Sequence, residues 1–229
     1  MATLLTCNAV FLHVPKTGGM YVRTIFTKLN LIRFDFSRDH SDMQRTLNTS
    51  QYYPGNFYKR SLQLGKNLDR HVKPLYKFCV VRNPFSWYES YWRFMQDRNW
   101  SSLLPTQTRT RFGFRYDQWH PFAPLELCAD PDFNHFMEKV IEKQPGYLTR
   151  LFESYADPQH ISYVAKQETL EDDLRKIFDQ LNVKYDNSVF ASTEKVNASK
   201  TSKPTWDEGL RKSICSAEAG VFEKYSYDI

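Results

Sequence analysis

Near the start of the chain a short apolar run, Val10-Phe11-Leu12, leads into His13-Val14-Pro15-Lys16-Thr17-Gly18-Gly19. Val22, Ile25, Phe26 and Leu29 then follow at i, i+3, i+4, i+7, the spacing of an amphipathic helix. A buried strand that turns straight into a helix through two adjacent glycines constrains the fold to an α/β type with a phosphate-cradling turn. The glycines let backbone N–H groups face an anion, the helix N-terminus adds a favourable dipole, and Lys16 adds a point charge. The Gly-x-x-x-x-Gly-Lys-Ser/Thr spacing of ATP- and GTP-binding loops is not present, so the turn is a related device suited to a different phosphate.

The same alternation of elements continues downstream. Residues 31–36 read as a short second strand, and residues 37–75 are polar and hold only weak helices. Residues 76–81 (Tyr-Lys-Phe-Cys-Val-Val) read as a buried strand. Asn83 is placed to cap the next helix, with Pro84 at its first position and Tyr88, Tyr91, Trp92 and Met95 on its core face. Asp132 caps a helix that buries Phe133, Phe136, Met137 and Val140. Residues 161–164 suggest another strand, and Thr169-Leu170-Glu171-Asp172 has the pattern of a capping box. From Trp206 a last helix uses Leu210, Ile214 and Val221. Strands alternating with helices predict one α/β domain over residues 1–229. Its central sheet is expected to be mainly parallel and flanked by helices, with ligands at the carboxyl ends of the strands. Residues 97–125 lack a period and are rich in Arg and aromatic residues, as expected of a segment that covers a substrate.

Composition narrows the function classes. Hydrophobic residues are 41% and charged residues 25%, a globular balance rather than a disordered one. A net charge of +5 suits an anionic cosubstrate, but it is too small and too scattered to argue for nucleic acid. Cys7, Cys79, Cys128 and Cys215 are widely spaced, which favours free thiols over disulfides or a zinc site. The N-terminal apolar stretch has no basic region ahead of it and runs into the turn, unlike a leader. No run is long enough to span a membrane. A cytoplasmic protein is therefore expected, with the Asn-x-Ser sequons at Asn48, Asn99 and Asn197 arising by chance.

Two strand-to-helix corners stand out, Lys16-Thr17-Gly18-Gly19 and Arg82-Asn83-Pro84. Ser90 lies off the core stripe of its helix, so Arg82 and Ser90 together suit a terminal phosphate monoester. A lysine after a turn and an arginine at a sheet end also occur as plain structural residues. The presence of both corners in one chain is what favours a phosphate site.

With these residues in place, the chain resembles the sulfotransferases that use 3′-phosphoadenosine 5′-phosphosulfate (PAPS). The likeness is greatest to the branch of the heparan sulfate 2-O- and 6-O-sulfotransferases and their bacterial relatives. In that family a Pro-Lys-Thr/Ser-Gly-Gly/Thr loop binds the 5′-phosphosulfate. A Val-Arg-Asn/Asp-Pro segment, with Ser eight residues after the Arg, binds the 3′-phosphate, and Arg82 and Ser90 have that spacing. The segment Val164-Ala165-Lys166-Gln167-Glu168-Thr169-Leu170, followed by Asp173-Leu174, resembles the family's stretch near the adenine. Asn197-Ala198-Ser199-Lys200 resembles its late Asn-x-Ser segment, and Tyr225-Ser226-Tyr227-Asp228 its closing Phe-Gly-Tyr.

The resemblance implies a sulfotransferase fold and a cofactor-binding set of Pro15, Lys16, Thr17, Gly18, Gly19, Met20, Tyr21, Arg82, Ser90, Gln167, Asn197, Ser199 and Lys200. The family usually has Thr or Ser where this chain has Met20 and Tyr21, so backbone amides of Gly18 to Tyr21 would have to serve there. Asp39-His40-Ser41-Asp42 resembles the His-Ala/Ser segment of the 6-O-like branch and makes His40 the general base, with His120, Asp39 and Asp42 as alternatives. The acceptor side is assigned to His13, Arg115, Trp119 and His120, although His13 also reads as a structural histidine and His120 as part of an aromatic lid.

In the implied chemistry, charge develops on the oxygen leaving the sulfur. Lys16 stabilises it without a metal, while His40 takes the proton of an acceptor hydroxyl on a small molecule or sugar. Two other classes compete. A nucleotide-dependent kinase should need Mg²⁺ and a full phosphate loop. A non-catalytic nucleotide- or RNA-binding module would use Arg82 and the middle aromatics.

Overall fold

The computed structural model describes residues 1–100, 120–194 and 200–228. The chain divides into two compact units. The first comprises Met1–Arg82 and Phe152–Ala198, and the second Asn83–Leu151 and Ser199–Ile229.

The first unit carries a five-stranded sheet in the order β3-β1-β2-β4-β5. These strands are β1 (Ala2–Leu5), β2 (Ala9–Leu12), β3 (Ile32–Asp35), β4 (Tyr76–Val81) and β5 (Tyr163–Lys166). β1 and β2 form a hairpin whose return is made by Asn8 at φ 57°, a left-handed position that Asn tolerates better than most residues. β1 is antiparallel to both β2 and β3, whereas β2, β4 and β5 are parallel. The sheet is therefore mixed. The parallel arrangement expected from the sequence holds for β2-β4-β5, and the reversed β1 enters because only three residues separate it from β2, too few for a crossover helix.

Side chains alternate between two cores. Ala9 and Phe11 of β2, with Phe78 and Val80 of β4, face α1 (Gly19–Lys28) and a later helix, Leu170–Gln180. Val10, Ala2, Leu4 and Phe34 face the other way, toward Leu68 and Val72. The polar stretch after β3 forms four short helices: α2 (Met43–Leu47), α3 (Thr49–Tyr52), α4 (Pro54–Leu64) and α5 (Leu68–Val72). With both faces covered, β2 and β4 are almost wholly buried, which explains their uninterrupted apolar runs. From β2 the chain passes through α1 to β3 on one side, then through α2–α5 to β4 on the other. The carboxyl ends of β2 and β4 thus flank a topological switch point, where ligands bind in α/β sheets.

The second unit is helical: α6 (Pro84–Gln96), α7 (Ala123–Glu126), α8 (Phe133–Lys143), α12 (Glu208–Ala217) and α13 (Ala219–Lys224), with α9 (Tyr147–Tyr155) running from it into the first unit. The first unit adds α10 (Leu170–Gln180) and α11 (Ser188–Ala191). Asn83 caps α6 by accepting from the Phe85 amide, and Asp132 caps α8 by accepting from the His135 amide, both as the sequence predicts. The α6 face packs as an aromatic cluster, with Trp87 stacked on Tyr91 at 5.6 Å and Tyr91 edge-on to Phe122 at 4.8 Å.

Two local readings change. The expected capping box at α10 is replaced: Thr169 makes no cap bond to the helix backbone, and its hydroxyl donates to Asp173 at 2.9 Å instead. The single tail helix is broken at Glu218, whose buried carboxylate accepts from the amides of Leu148 and Thr149 and the hydroxyls of Thr149 and Tyr88. Most of the segment 97–125, expected to cover a substrate, lies outside the described residues.

Candidate active site

All four same-direction strands of the first unit end at one edge of the sheet, and each delivers a residue there. β2 delivers His13 to Gly19, β4 delivers Arg82, β5 delivers Gln167, and the chain beyond β3 delivers His40. The turn after β2 is built from backbone handedness. Lys16 has φ 64° and Gly18 φ 85°. For Lys16 the left-handed region costs on the order of 1–2 kcal/mol, so the turn must be held by its surroundings. Thr17 is buried and its hydroxyl donates to the Val14 carbonyl at 3.0 Å, closing the turn from inside. Arg82 Nη1 donates to the Lys16 carbonyl at 3.1 Å, tying the end of β4 to the left-handed residue. Gly18 is the N-cap of α1 and offers no side-chain cap, so the first-turn amides of the helix have no capping side chain to satisfy them.

Gly19 is required by its neighbour, and Gly18 is favoured by its own backbone angle. A Cβ on Gly19 would lie 2.1 Å from His13 Cδ2 and 2.2 Å from its Nε2. One on Gly18 would meet Leu170 Cδ2 at 3.3 Å and Gln167 Cγ at 3.4 Å, at a φ that side chains rarely adopt. Gln167 therefore packs beside the turn. The Tyr21 hydroxyl donates to Glu171 at 2.9 Å, and burial first, then the carboxylate, pushes the phenol up to about 12. Met20 is exposed. The Tyr21 hydroxyl is thus engaged by Glu171.

His40 stands beside the turn. Its Nδ1 is 3.2 Å from the His13 carbonyl, and the two rings meet edge-on at 5.0 Å. A carbonyl only accepts, so Nδ1 carries the proton and the neutral ring has its lone pair on Nε2. His40 itself has φ 58°, and its carbonyl accepts from the Tyr155 hydroxyl. The His13 imidazole, stacked on Phe11 at 6.0 Å, is held well below the usual 6.5 by burial and then by the adjacent His40. Of the alternative bases, Asp42 is occupied as the N-cap of α2 and as the partner of the Arg45 guanidinium, each at 2.8 Å, while Asp39 is exposed.

The first unit thus brings together His13, Pro15 to Tyr21, His40, Arg82 and Gln167. In the second unit, Ser90 is partly exposed on α6, and His120 Nδ1 accepts from the Phe122 amide at 3.2 Å. There too, the Lys200 amide donates to Asp97 at 3.3 Å. Arg115, Trp119, Asn197 and Ser199 lie outside the described residues. Sequence reasoning did not find Tyr155 or Glu171; each contacts the site across more than a hundred residues of chain, and no local pattern marks such a pairing. Among the described residues, no group of three or more His, Cys, Asp or Glu could hold a metal ion, and no helix is long and apolar enough to cross a membrane.

Searches of the curated proteins and of the solved structures find no match to this chain. A scan of protein families finds a match, described as the sulfotransferase family, over residues 5–228. That span takes in the turn after β2, the Arg82 corner, His40 and the β5 end, and the chain belongs to the sulfotransferase family.

Proposed function

We propose that the protein moves the sulfuryl group of PAPS in line onto a hydroxyl of a small-molecule or carbohydrate acceptor and releases adenosine 3′,5′-bisphosphate. The observation that carries this reading is the Arg82 to Lys16 carbonyl bond. It joins the two phosphate corners into one unit of geometry, in a chain of the sulfotransferase family. The start of α1, where Gly18 gives no side-chain cap, fits an anionic phosphate group there.

PAPS supplies the activated sulfuryl group and a good leaving group. Lys16 stands at the turn to meet the charge that develops on the leaving oxygen. The Arg82 guanidinium supplies fixed donors for the 3′-phosphate. His40, with Nδ1 engaged by His13, presents the Nε2 lone pair as the base for the acceptor hydroxyl. No residue in this scheme needs a metal, so turnover is expected to persist in EDTA. Four free cysteines suit a reducing, cytoplasmic setting.

Thermal shift tests the reading directly. Adenosine 3′,5′-bisphosphate should stabilise the protein by mass action, and labelled PAPS should yield a labelled product in an acceptor screen. A shift with ATP and Mg²⁺ but none with the bisphosphate would instead favour a kinase, and a shift with short RNA alone would favour a binding module.

A further inference from the structure

Tyr155 is the last residue of α9 and is fully buried, yet its hydroxyl is not spent within its own helix. It donates to the backbone carbonyl of His40. His40 occupies the left-handed region at φ 58°, where a residue with a side chain stays only when its surroundings over-determine it. Two contacts from different elements do so. The His13 carbonyl at the end of β2 takes the ring through Nδ1, and Tyr155 takes the backbone. Together they fix both where the ring stands and which nitrogen carries its proton.

We propose that Tyr155 is a positioning residue for His40, holding it in the conformation in which Nδ1–H bonds to the His13 carbonyl and Nε2 keeps the lone pair. The proposal rests on the reading of His40 as the general base and adds a residue that touches neither substrate nor reacting atoms. Without the Tyr155 hydroxyl, the His40 carbonyl loses that donor and the backbone relaxes toward an ordinary φ. The ring then leaves the His13 carbonyl, and the proton distributes between the two nitrogens.

The test uses Tyr155→Phe in the full chain, which keeps the buried ring and removes only the hydroxyl. Turnover should fall about tenfold, short of the ~10²–10⁴-fold that loss of a positioned base typically costs, while the KM for PAPS stays within about twofold. In a His40→Ala background the same change should cost nothing further, because the two residues act as one unit. In ¹⁵N-histidine spectra, wild-type His40 should show the Nδ1–H tautomer, and Tyr155→Phe should shift it toward Nε2–H.

An equal loss of turnover in both backgrounds would make Tyr155 an ordinary packing residue and overturn the proposal. An unchanged tautomer would do the same. Should His40→Ala retain near-normal turnover, the base assignment fails by itself, and the spectra still decide whether Tyr155 positions His40. If Tyr155→Phe does not fold, difluorotyrosine at residue 155 keeps the ring and strengthens the hydroxyl as a donor. The ¹³C resonance of the His40 carbonyl should then move, and an unmoved resonance would count against the contact.

Discussion

The imidazole of His13 fills the space that a side chain at Gly19 would need, with Cδ2 and Nε2 both within 2.2 Å of the position a Cβ would take. The second glycine of the turn is thus set by the ring at the end of β2 as well as by any ligand. Gly19→Ala should therefore push His13 off the turn. Overpacking of this kind costs typically ~1–3 kcal/mol, so a lower melting temperature is expected, together with weaker binding of adenosine 3′,5′-bisphosphate. Calorimetry and titration of the same sample check both, and a variant with wild-type stability and affinity would contradict this account of Gly19.

Lys16 and Arg82 should separate kinetically. Lys16→Ala removes the charge proposed to act on the leaving oxygen in the transition state; loss of one such stabilising group costs about 10²–10³-fold in kcat, so a fall of that size is expected, with a smaller change in nucleotide affinity. Arg82→Ala should mainly weaken the nucleotide. It removes the proposed 3′-phosphate donor and also the bond that holds the Lys16 carbonyl. Steady-state kinetics with varied PAPS will show the contrast; identical patterns in the two variants would refute the division of labour.

For His40, alanine should lower kcat by about 10²–10⁴-fold and leave affinity for the bisphosphate nearly unchanged. Glutamine keeps hydrogen-bonding reach but no basicity and should be almost as poor. The wild-type rate should fall at acid pH as the base takes a proton, and the variants should lose that limb. A normal kcat for His40→Ala would move the role to His120 or Asp39.

His13 should leave a mark on stability. Its folded value is depressed below the 6.5 of an exposed histidine, so between the two values the unfolded chain binds a proton that the native ring does not. Stability then rises with pH in that window: it is complete above pH 6.5 and is lost as the pH falls toward the folded value. Melting temperatures from pH 5 to 7.5 should show this loss, and His13→Asn should flatten it. His71 and the Met1 amino group, whose values are also depressed, the latter by burial to about 5, add contributions of the same sign that the variant retains, that of the amine continuing above pH 6.5.

Glu218 should be a stability residue with no part in turnover beyond the folded fraction. Its buried carboxylate takes the amides of Leu148 and Thr149 and the hydroxyls of Thr149 and Tyr88. Glu218→Ala strands those donors, at about 1–3 kcal/mol for each that stays unsatisfied. Denaturant unfolding should show a large fall for alanine and a smaller one for Glu218→Gln, which keeps one acceptor oxygen.

Residue pattern alone was enough to place the strand, turn and helix around Lys16 to Gly19, the buried runs of β2 and β4, and the caps at Asn83 and Asp132. Each of these is a local matter of periodicity, glycine freedom or one side chain reaching an amide two or three residues away. The reversal of β1 belongs to the packed sheet, since a three-residue return permits only an antiparallel partner and the sheet order then follows from crossovers. Packing likewise sets why residue 19 is glycine, which of the His40 nitrogens holds the proton, and that Thr169 bonds to Asp173 rather than to its helix. Those outcomes depend on atoms brought together from distant parts of the chain. Tyr155 reaches His40 from 115 residues away, and only the folded chain makes that distance short.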